Sequence, residues 1–453
     1  MPSAAEAATI RRFNAIRHNP ALLLPFLREM PKGGDLHNHL SGAIYAESYL
    51  RWSAEDGLCL AIATLSLVPG PCDPASGKPT AASVRQNASL YGQAIDAMSM
   101  RHWTPATNGH DHFFAAFAKF GPASQRTGEM LAEVASRAAS EHVSYLELML
   151  TPDGGESTTL GRVAGWTASL TAMRDKLLAG GFKDAVVGEA KKRLDAAEAR
   201  QRQVLRCGAA DPDPGCSVTI RYIFQVSRAA APEVVFGQIL GGFEVASADP
   251  RLVSLNLVQP EDDPSAVQNF SLEMQMLDFL HNLYPNVRIT LHADELTDGL
   301  VPPDVMRFHI RDSVRLGHAS RIGHGVSVMH EDDAVGLLRE MASKHVLVEC
   351  ALTSNDLILG VKGPTHPLRT YLRYGVPIAI VTDDMGVSRS THTQEFQKAV
   401  EEHDLGYTTL KKLARNSIEY SFADPATKTT LKADLEAAFA AFELRIARQT
   451  KPS

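Results

Sequence analysis

No stretch of this 453-residue chain approaches the roughly 18 consecutive apolar residues that a membrane-spanning helix needs. The most apolar early stretch, residues 21–27, is short and contains Pro25. The opening MPSAAEAATIRR lacks the apolar core of a secretion signal. Positive charge is not in excess either, the formal net charge being −7. Phosphate binding needs a basic patch, so a general nucleic-acid surface is not expected, and neither is a membrane partner. There is no internal repeat and no low-complexity tract.

Cysteine is sparse, with five in the chain. Cys59 precedes the Pro/Gly-rich loop LVPGPCDPASGKP and Cys72 lies inside it, while Cys207 and Cys216 flank CGAADPDPGC. Two short-range pairs in turn-rich loops are expected to be disulfides, which persist in oxidising compartments. The expected location is therefore periplasmic or secreted; a cytoplasmic protein with five reduced thiols is the alternative. Cys350, inside an apolar run, reads as a buried thiol.

What is present fits a folded protein, with 44% hydrophobic and 21% charged residues. The first 30 residues read as helical, through Ile10, Phe13 and Ile16 and then residues 22–27. After them, short apolar runs alternate with amphipathic segments. The candidate strands are 34–39, 143–150, 218–226, 252–258, 287–292, 321–324, 346–350 and 376–382, and the segments 130–140, 271–283, 332–343 and 366–374 read as helices. Strand–helix alternation implies a parallel sheet, and continuously apolar strands imply one buried on both faces. Polar residues gather where the runs end: His37 and His39, His292 and Glu295, His324, then Asp383 and Asp384. In a TIM barrel the strand C-termini share one face, and the active site lies there. The expected fold is thus an α/β (β/α)8 TIM barrel in a single domain. It comprises an N-terminal helical segment (1–30), a barrel from about 30 to 420 with insertions near 51–130 and 181–216, and a C-terminal helix (421–453). The charged stretch AKKRLDAAEARQRQ in the second insertion reads as a solvated face.

Residues two apart on a strand project to the same side, so His37 and His39 of GDLHNHLSG can face one metal ion. Alone, an H-x-H pair is a weak signal. Here it ends a candidate strand and is followed by Gly42, as a turn favours. His292 alone would read as a core histidine. Asp383 follows the apolar run VPIAIVT, where a carboxylate needs a partner or a metal. Three imidazoles and one carboxylate suit zinc, with a position left for water. Strand four, LVSLNLVQPEDD, has no lysine to bridge two metals, which favours one ion.

Glu295, three residues past His292, is a candidate general acid/base if burial raises its pKa; otherwise it is a surface glutamate opening a helix. His324 in RIGHG stands at a strand end where its ring can meet a metal-associated water, but His318 in RLGHAS is a competing candidate on spacing alone. Asp384 reads either as a hydrogen-bond acceptor for water or substrate or as a turn residue before Gly386. Phe113, Phe114 and Phe117 in DHFFAAF read as a pocket wall or as ordinary helix core.

Taken together, MPKGGDLHNHLSGA, LHADE, RIGHG, ECALTSN and VTDD, in this order over residues 30–390, resemble the adenosine deaminase family. The leading segment and the long insertion after strand one resemble its growth-factor-related, often secreted branch. The resemblance implies zinc-dependent hydrolytic deamination of adenosine or a related purine nucleoside, with one Zn2+ per chain. It implies His37, His39, His292 and Asp383 as zinc ligands and Glu295 as the acid that protonates the purine ring nitrogen. It implies His324 as the residue that orients and helps deprotonate the zinc water, and Asp384 as a second carboxylate contacting water and substrate. The other zinc deaminase architecture, H-x-E with P-C-x-x-C, is absent, since no two cysteines stand three apart.

Two positions depart from the family pattern. Ser41 stands where an aspartate commonly meets the ribose, and Gln259 stands where a glycine backbone commonly approaches the purine. Both are candidate substrate contacts, and a Gln259 side chain is expected to crowd the base or alter the sugar preference. The competing readings are a barrel amidohydrolase acting on another amino-purine, an amide or an ester, and a non-catalytic binding or signalling homologue.

Overall fold

The strand–helix alternation closes on itself. In the computed structural model, which describes residues 2–449, eight parallel strands pair in chain order. They are β1 (Gly33–His39), β2 (Val143–Leu150), β3 (Thr219–Ser227), β4 (Leu252–Val258), β5 (Arg288–Ala293), β6 (Arg321–His324), β7 (Leu347–Cys350) and β8 (Ile378–Ile380). The last strand meets the first through a parallel bridge between Asn38 and Asp383. There the Asp383 N–H donates to the His37 carbonyl at 2.9 Å and the His39 N–H donates to the Asp383 carbonyl at 3.3 Å. Closure removes the exposed sheet edge. It also brings three of the expected metal ligands to the seam.

The barrel interior is partly ionic. Arg321, 1% exposed at the start of β6, donates from Nε to Glu349 Oε1 of β7 and from Nη2 to Glu147 Oε2 of β2, each at 2.5 Å. Its guanidinium lies 3.8 Å from the centre of the Phe422 ring, and the Tyr145 hydroxyl donates to Glu147 Oε1 at 2.8 Å. Buried charge on this scale is tolerable because each group is paired and hydrogen-bonded.

The additions surround this core. The helices Ala4–Ile16 and Pro20–Glu29 pack on the C-terminal helix Pro425–Gln449 through Phe13, Phe26 and Phe442, with ring centres 5.5 Å apart for Phe13–Phe26 and 5.1 Å for Phe26–Phe442. Residues 450–453 of the expected C-terminal helix lie outside the described residues. The first insertion folds into a short antiparallel hairpin, Cys59–Ala61 with Ser66–Val68, and helices ending with Gly109–Phe120. The second is one long helix, Phe182–Val204. It is not solvated all round: Phe182, Val186, Ala190, Leu194 and Ala197, three or four apart, form a buried stripe. Both expected disulfides, Cys59–Cys72 and Cys207–Cys216, are present, and Cys350 is free and buried. Among the described residues, no helix is long and apolar enough to cross a membrane.

Candidate active site

The C-terminal ends of β1, β5 and β8 converge on one point. His39 Nε2 lies 3.3 Å from His292 Nε2, and Asp383 Oδ1 lies 3.4 Å from both His37 Nε2 and His39 Nε2. Donor atoms of His37, His292, His324 and Asp383 all fall within 4.8 Å of one another. His37 Nε2 and Asp383 Oδ1 are buried without a hydrogen-bond partner among the described residues. Such atoms are costly unless something between them accepts their lone pairs. Three nitrogens and a carboxylate oxygen are the donor set of a zinc site that keeps a position open. The residues therefore fit zinc; His37, His39, His292 and Asp383 are the four that would hold it under the family resemblance, with His324 beside them.

The outer contacts aim these rings. His37 Nδ1 donates to Glu349 Oε2 at 2.8 Å, and His292 Nδ1 donates to Asn256 Oδ1 at 2.9 Å. In each case the bonded Nδ1 leaves Nε2 to face the centre, as metal-binding histidines require. Room for the His37 ring comes from Gly323, where a Cβ would lie 2.8 Å from His37 Cε1. Electrostatics follow the contacts. Burial alone would lower the His37 pKa, but Asp383 and Glu349 outweigh it and push it up to about 10. Burial likewise opposes ionisation of Asp383, yet His37 holds that carboxyl far below the usual range. Burial drives His39 down to about 4 and His292 well below its ordinary value, which keeps both neutral.

On the other side of the centre stand Glu295 and Asp384. Burial first, then the charges of Asp383 and Glu261, lift Glu295 well above the carboxylate range. Asp384 is raised by burial and by its neighbour Asp383. Gly42 serves clearance more than turning, since a Cβ there would lie 1.5 Å from Asp384 Oδ1. Of the two candidate histidines, His324 is the one brought to this centre, buried with its Nδ1 3.5 Å from Glu295 Oε1. His318 lies near the opposite mouth, bonded to Asp278 at 2.7 Å and stacked on His281.

Sequence reasoning missed Glu261. Its carboxylate accepts the N–H groups of Asp294 at 3.1 Å and Glu295 at 2.9 Å and lies 2.6 Å from His309 Nδ1. The buried Arg228 is 3.7 Å away and donates to the carbonyls of Leu257 and His292. This cluster fixes the backbone that carries Glu295. The available signal was a carboxylate just past a strand end, in the same loop as Gln259.

These groups open onto a cavity of about 430 Å³ whose lining includes Phe113, Phe114 and Phe117, with Ser41, Gln225 and Gln259; Phe113 belongs to the helix core as well. Gln259 does not simply project over the cavity. Its backbone has φ +80°, the left-handed region a glycine would take, and its Oε1 accepts from the Ala229 N–H at 3.1 Å. A larger polar cavity of about 770 Å³, around Arg288, Lys344 and Lys428, opens at the opposite mouth and contains none of the expected site residues.

A sequence model of the adenosine deaminase family matches residues 111–438. The adenosine deaminase of Enterococcus faecalis is 32% identical over 155 residues, 34% of this chain and 42% of that protein. That of Clostridium botulinum is 34% identical over 146 residues, 32% of this chain and 40% of its length. The chain thus aligns with about two fifths of these relatives. Among solved structures, Arabidopsis ADAL complexed with IMP superimposes with a TM-score of 0.62 at 18% identity, covering 92% of this chain and 99% of that one. A Burkholderia ambifaria amidohydrolase with bound Zn gives 0.56 at 16% identity, covering 99% and 96%. At such identities the likeness concerns the fold.

Proposed function

The chain belongs to the adenosine deaminase family, and from that premise we propose that it is a zinc-dependent hydrolase that converts adenosine or a close purine nucleoside to the inosine-type product and ammonia. The observation that carries this reading is the convergence of His37, His39, His292 and Asp383 beside a buried carboxyl, Glu295, whose pKa is raised. Bound there, one zinc ion per chain supplies a Lewis acid that makes water nucleophilic near neutral pH. Glu295 holds a proton and delivers it to the purine ring nitrogen, which makes the amino-bearing carbon electrophilic. The water oxygen adds to that carbon. Asp384 accepts a hydrogen bond from the water, and His324 orients it. Collapse breaks the carbon–nitrogen bond; one proton of the water leaves with the amine and the other restores Glu295, so one water is consumed and one ammonia released.

A nucleoside suits the cavity better than a nucleotide. Among the described residues its lining contains no lysine or arginine that could pair with a phosphate. The two disulfides favour placement in the extracytoplasmic, growth-factor-related branch.

The test is ammonia release from adenosine, deoxyadenosine, adenine, adenosine phosphates and guanine derivatives, with zinc measured on the same sample. Adenosine turnover with about one zinc per chain is expected. Zinc without nucleoside turnover would reject the substrate and direct attention to Ser41 and Gln259. Absence of zinc would reject the mechanism.

A further inference from the structure

The segment ECALTSN contributes Glu349 to the metal side, but its last residue, Asn355, has no part in the chemistry described so far. It is fully buried on the helix Leu352–Leu359, between two imidazoles. Its Nδ2 lies 3.0 Å from His324 Nδ1 and its Oδ1 lies 3.0 Å from His366 Nε2. His366 Nδ1 lies 3.1 Å from the backbone nitrogen of Leu368.

Taken alone, an amide between two imidazoles can be turned either way, because each neutral ring has one donor and one acceptor nitrogen. Here the direction is set at the far end. The Leu368 amide can only donate, so His366 Nδ1 accepts. A neutral ring accepting at Nδ1 carries its proton on Nε2. Burial keeps His366 neutral, with its pKa pushed down to about 3. His366 Nε2–H therefore donates to Asn355 Oδ1, which turns Asn355 Nδ2–H toward His324. His324 Nδ1 then accepts, and the ring carries its proton on Nε2. That atom is buried and has no hydrogen-bond partner among the described residues.

We propose that Asn355 and His366 are positioning residues that hold His324 as its Nε2–H tautomer, so that His324 donates a hydrogen bond to the oxygen of the attacking water and does not take its proton. The catalytic half of this inference rests on the deaminase reading above; the tautomer does not. It changes the role expected for His324 from the family resemblance: orientation is kept, and deprotonation falls to the carboxylates of the site. A ring with a lone pair on Nε2 would accept the water's O–H and could take its proton, whereas Nε2–H can only donate to a lone pair of the oxygen while the other lone pair attacks.

Asn355→Asp tests the relay, because it preserves shape and makes both sides of the side chain acceptors. His366 keeps its bond, but His324 Nδ1 must then carry a proton. In the zinc-loaded full chain labelled with 15N-histidine, the ring shifts report which nitrogen is protonated, and the His324→Gln spectrum identifies the His324 signals by their loss. The expected result is Nε2–H with an unprotonated Nδ1 in the parent protein and a protonated Nδ1 in Asn355→Asp. With zinc content unchanged, kcat on adenosine should fall by about tenfold or more while KM moves by less than about threefold. His366→Phe, which removes the anchor, should give mixed tautomers and a smaller loss. Nδ1–H in the parent, or an unaltered tautomer in both variants, overturns the relay. A switched tautomer with unchanged kcat overturns its catalytic role. If the parent releases no ammonia from any nucleoside, the proposed function fails while the nitrogen shifts still decide the tautomer.

Discussion

His37 Nδ1 stands 2.8 Å from Glu349 Oε2, and the other oxygen of the same carboxylate accepts from Arg321 Nε at 2.5 Å and from Thr290 Oγ1 at 3.0 Å. A charged chain thus runs from the barrel interior to a metal donor. Burial opposes ionisation of Glu349, but Arg321, with His37 and Thr290, outweighs it and holds the carboxyl below its ordinary value. The anion in turn fixes the His37 tautomer and makes Nε2 a better donor. Replacing Glu349 with glutamine should therefore weaken zinc binding by about 10- to 100-fold, the range for partners one step removed from a metal. Competition with a chelator of known affinity measures this. Zinc affinity equal to the parent's would show that Glu349 serves only the Arg321 pair. His37→Ala should lose the metal and the activity together.

Glu295 is expected to separate metal binding from chemistry. It is not among the ligands, and its carboxyl is raised by burial, by Asp383 and by Glu261. Glu295→Gln keeps the shape and removes the transferable proton. Zinc occupancy should stay at the parent value, while kcat falls by about 10²- to 10⁴-fold, the usual contribution of a general acid. Retention of most of the activity would remove Glu295 from the mechanism.

Gln259 tests how the pocket accommodates a side chain where the family resemblance leads one to expect glycine. Because its amide oxygen is held by the Ala229 N–H, Gln259→Gly should change kcat/KM for adenosine by less than about tenfold, or less than roughly 1.4 kcal/mol. Stability should change little, since relief of the left-handed backbone (φ +80°) offsets the lost hydrogen bond. A rise in kcat/KM of a hundredfold would mean that the side chain does crowd the base.

The disulfides carry a separate test. In the unfolded, unreduced protein, thiol titration should find one reactive group, Cys350, because Cys59–Cys72 and Cys207–Cys216 are paired. Five free thiols would remove the argument for an oxidising compartment.

The strands and the histidines and aspartate that converge at their ends were legible because both are written locally. Each strand is an apolar run, and each donor stands at the end of one. The last strand was read as 376–382 but is regular only over Ile378–Ile380. Beyond Ile380 the apolar pattern persists, while the chain leaves the ladder and places Asp383 at φ +56°. Arg321, Glu147 and Glu349 were not legible as a network, because they come from β6, β2 and β7, and a single charge at a strand start reads as surface. Asn355 escaped for a similar reason. Its meaning lies in two histidines on other elements, and its direction in one backbone N–H, which no residue pattern displays.

Glu273 should give the fold a pH dependence of its own. Both its carboxylate oxygens are buried without a hydrogen-bond partner among the described residues. Burial pushes the pKa from 4.5 up to about 8, with Arg228 opposing and Glu261 reinforcing the shift. The folded state therefore binds more protons than the unfolded state between those values, so stability falls as pH rises through that window. The stabilisation is full below about pH 4.5 and lost once pH passes about 8. Glu273→Gln has no proton to lose. Its Tm relative to the parent should therefore climb steadily from pH 5 to pH 8, where an unpartnered buried charge otherwise has to be accommodated. Parallel Tm profiles for the two proteins over that range would show that the Glu273 carboxyl ionises freely or finds compensation in the fold.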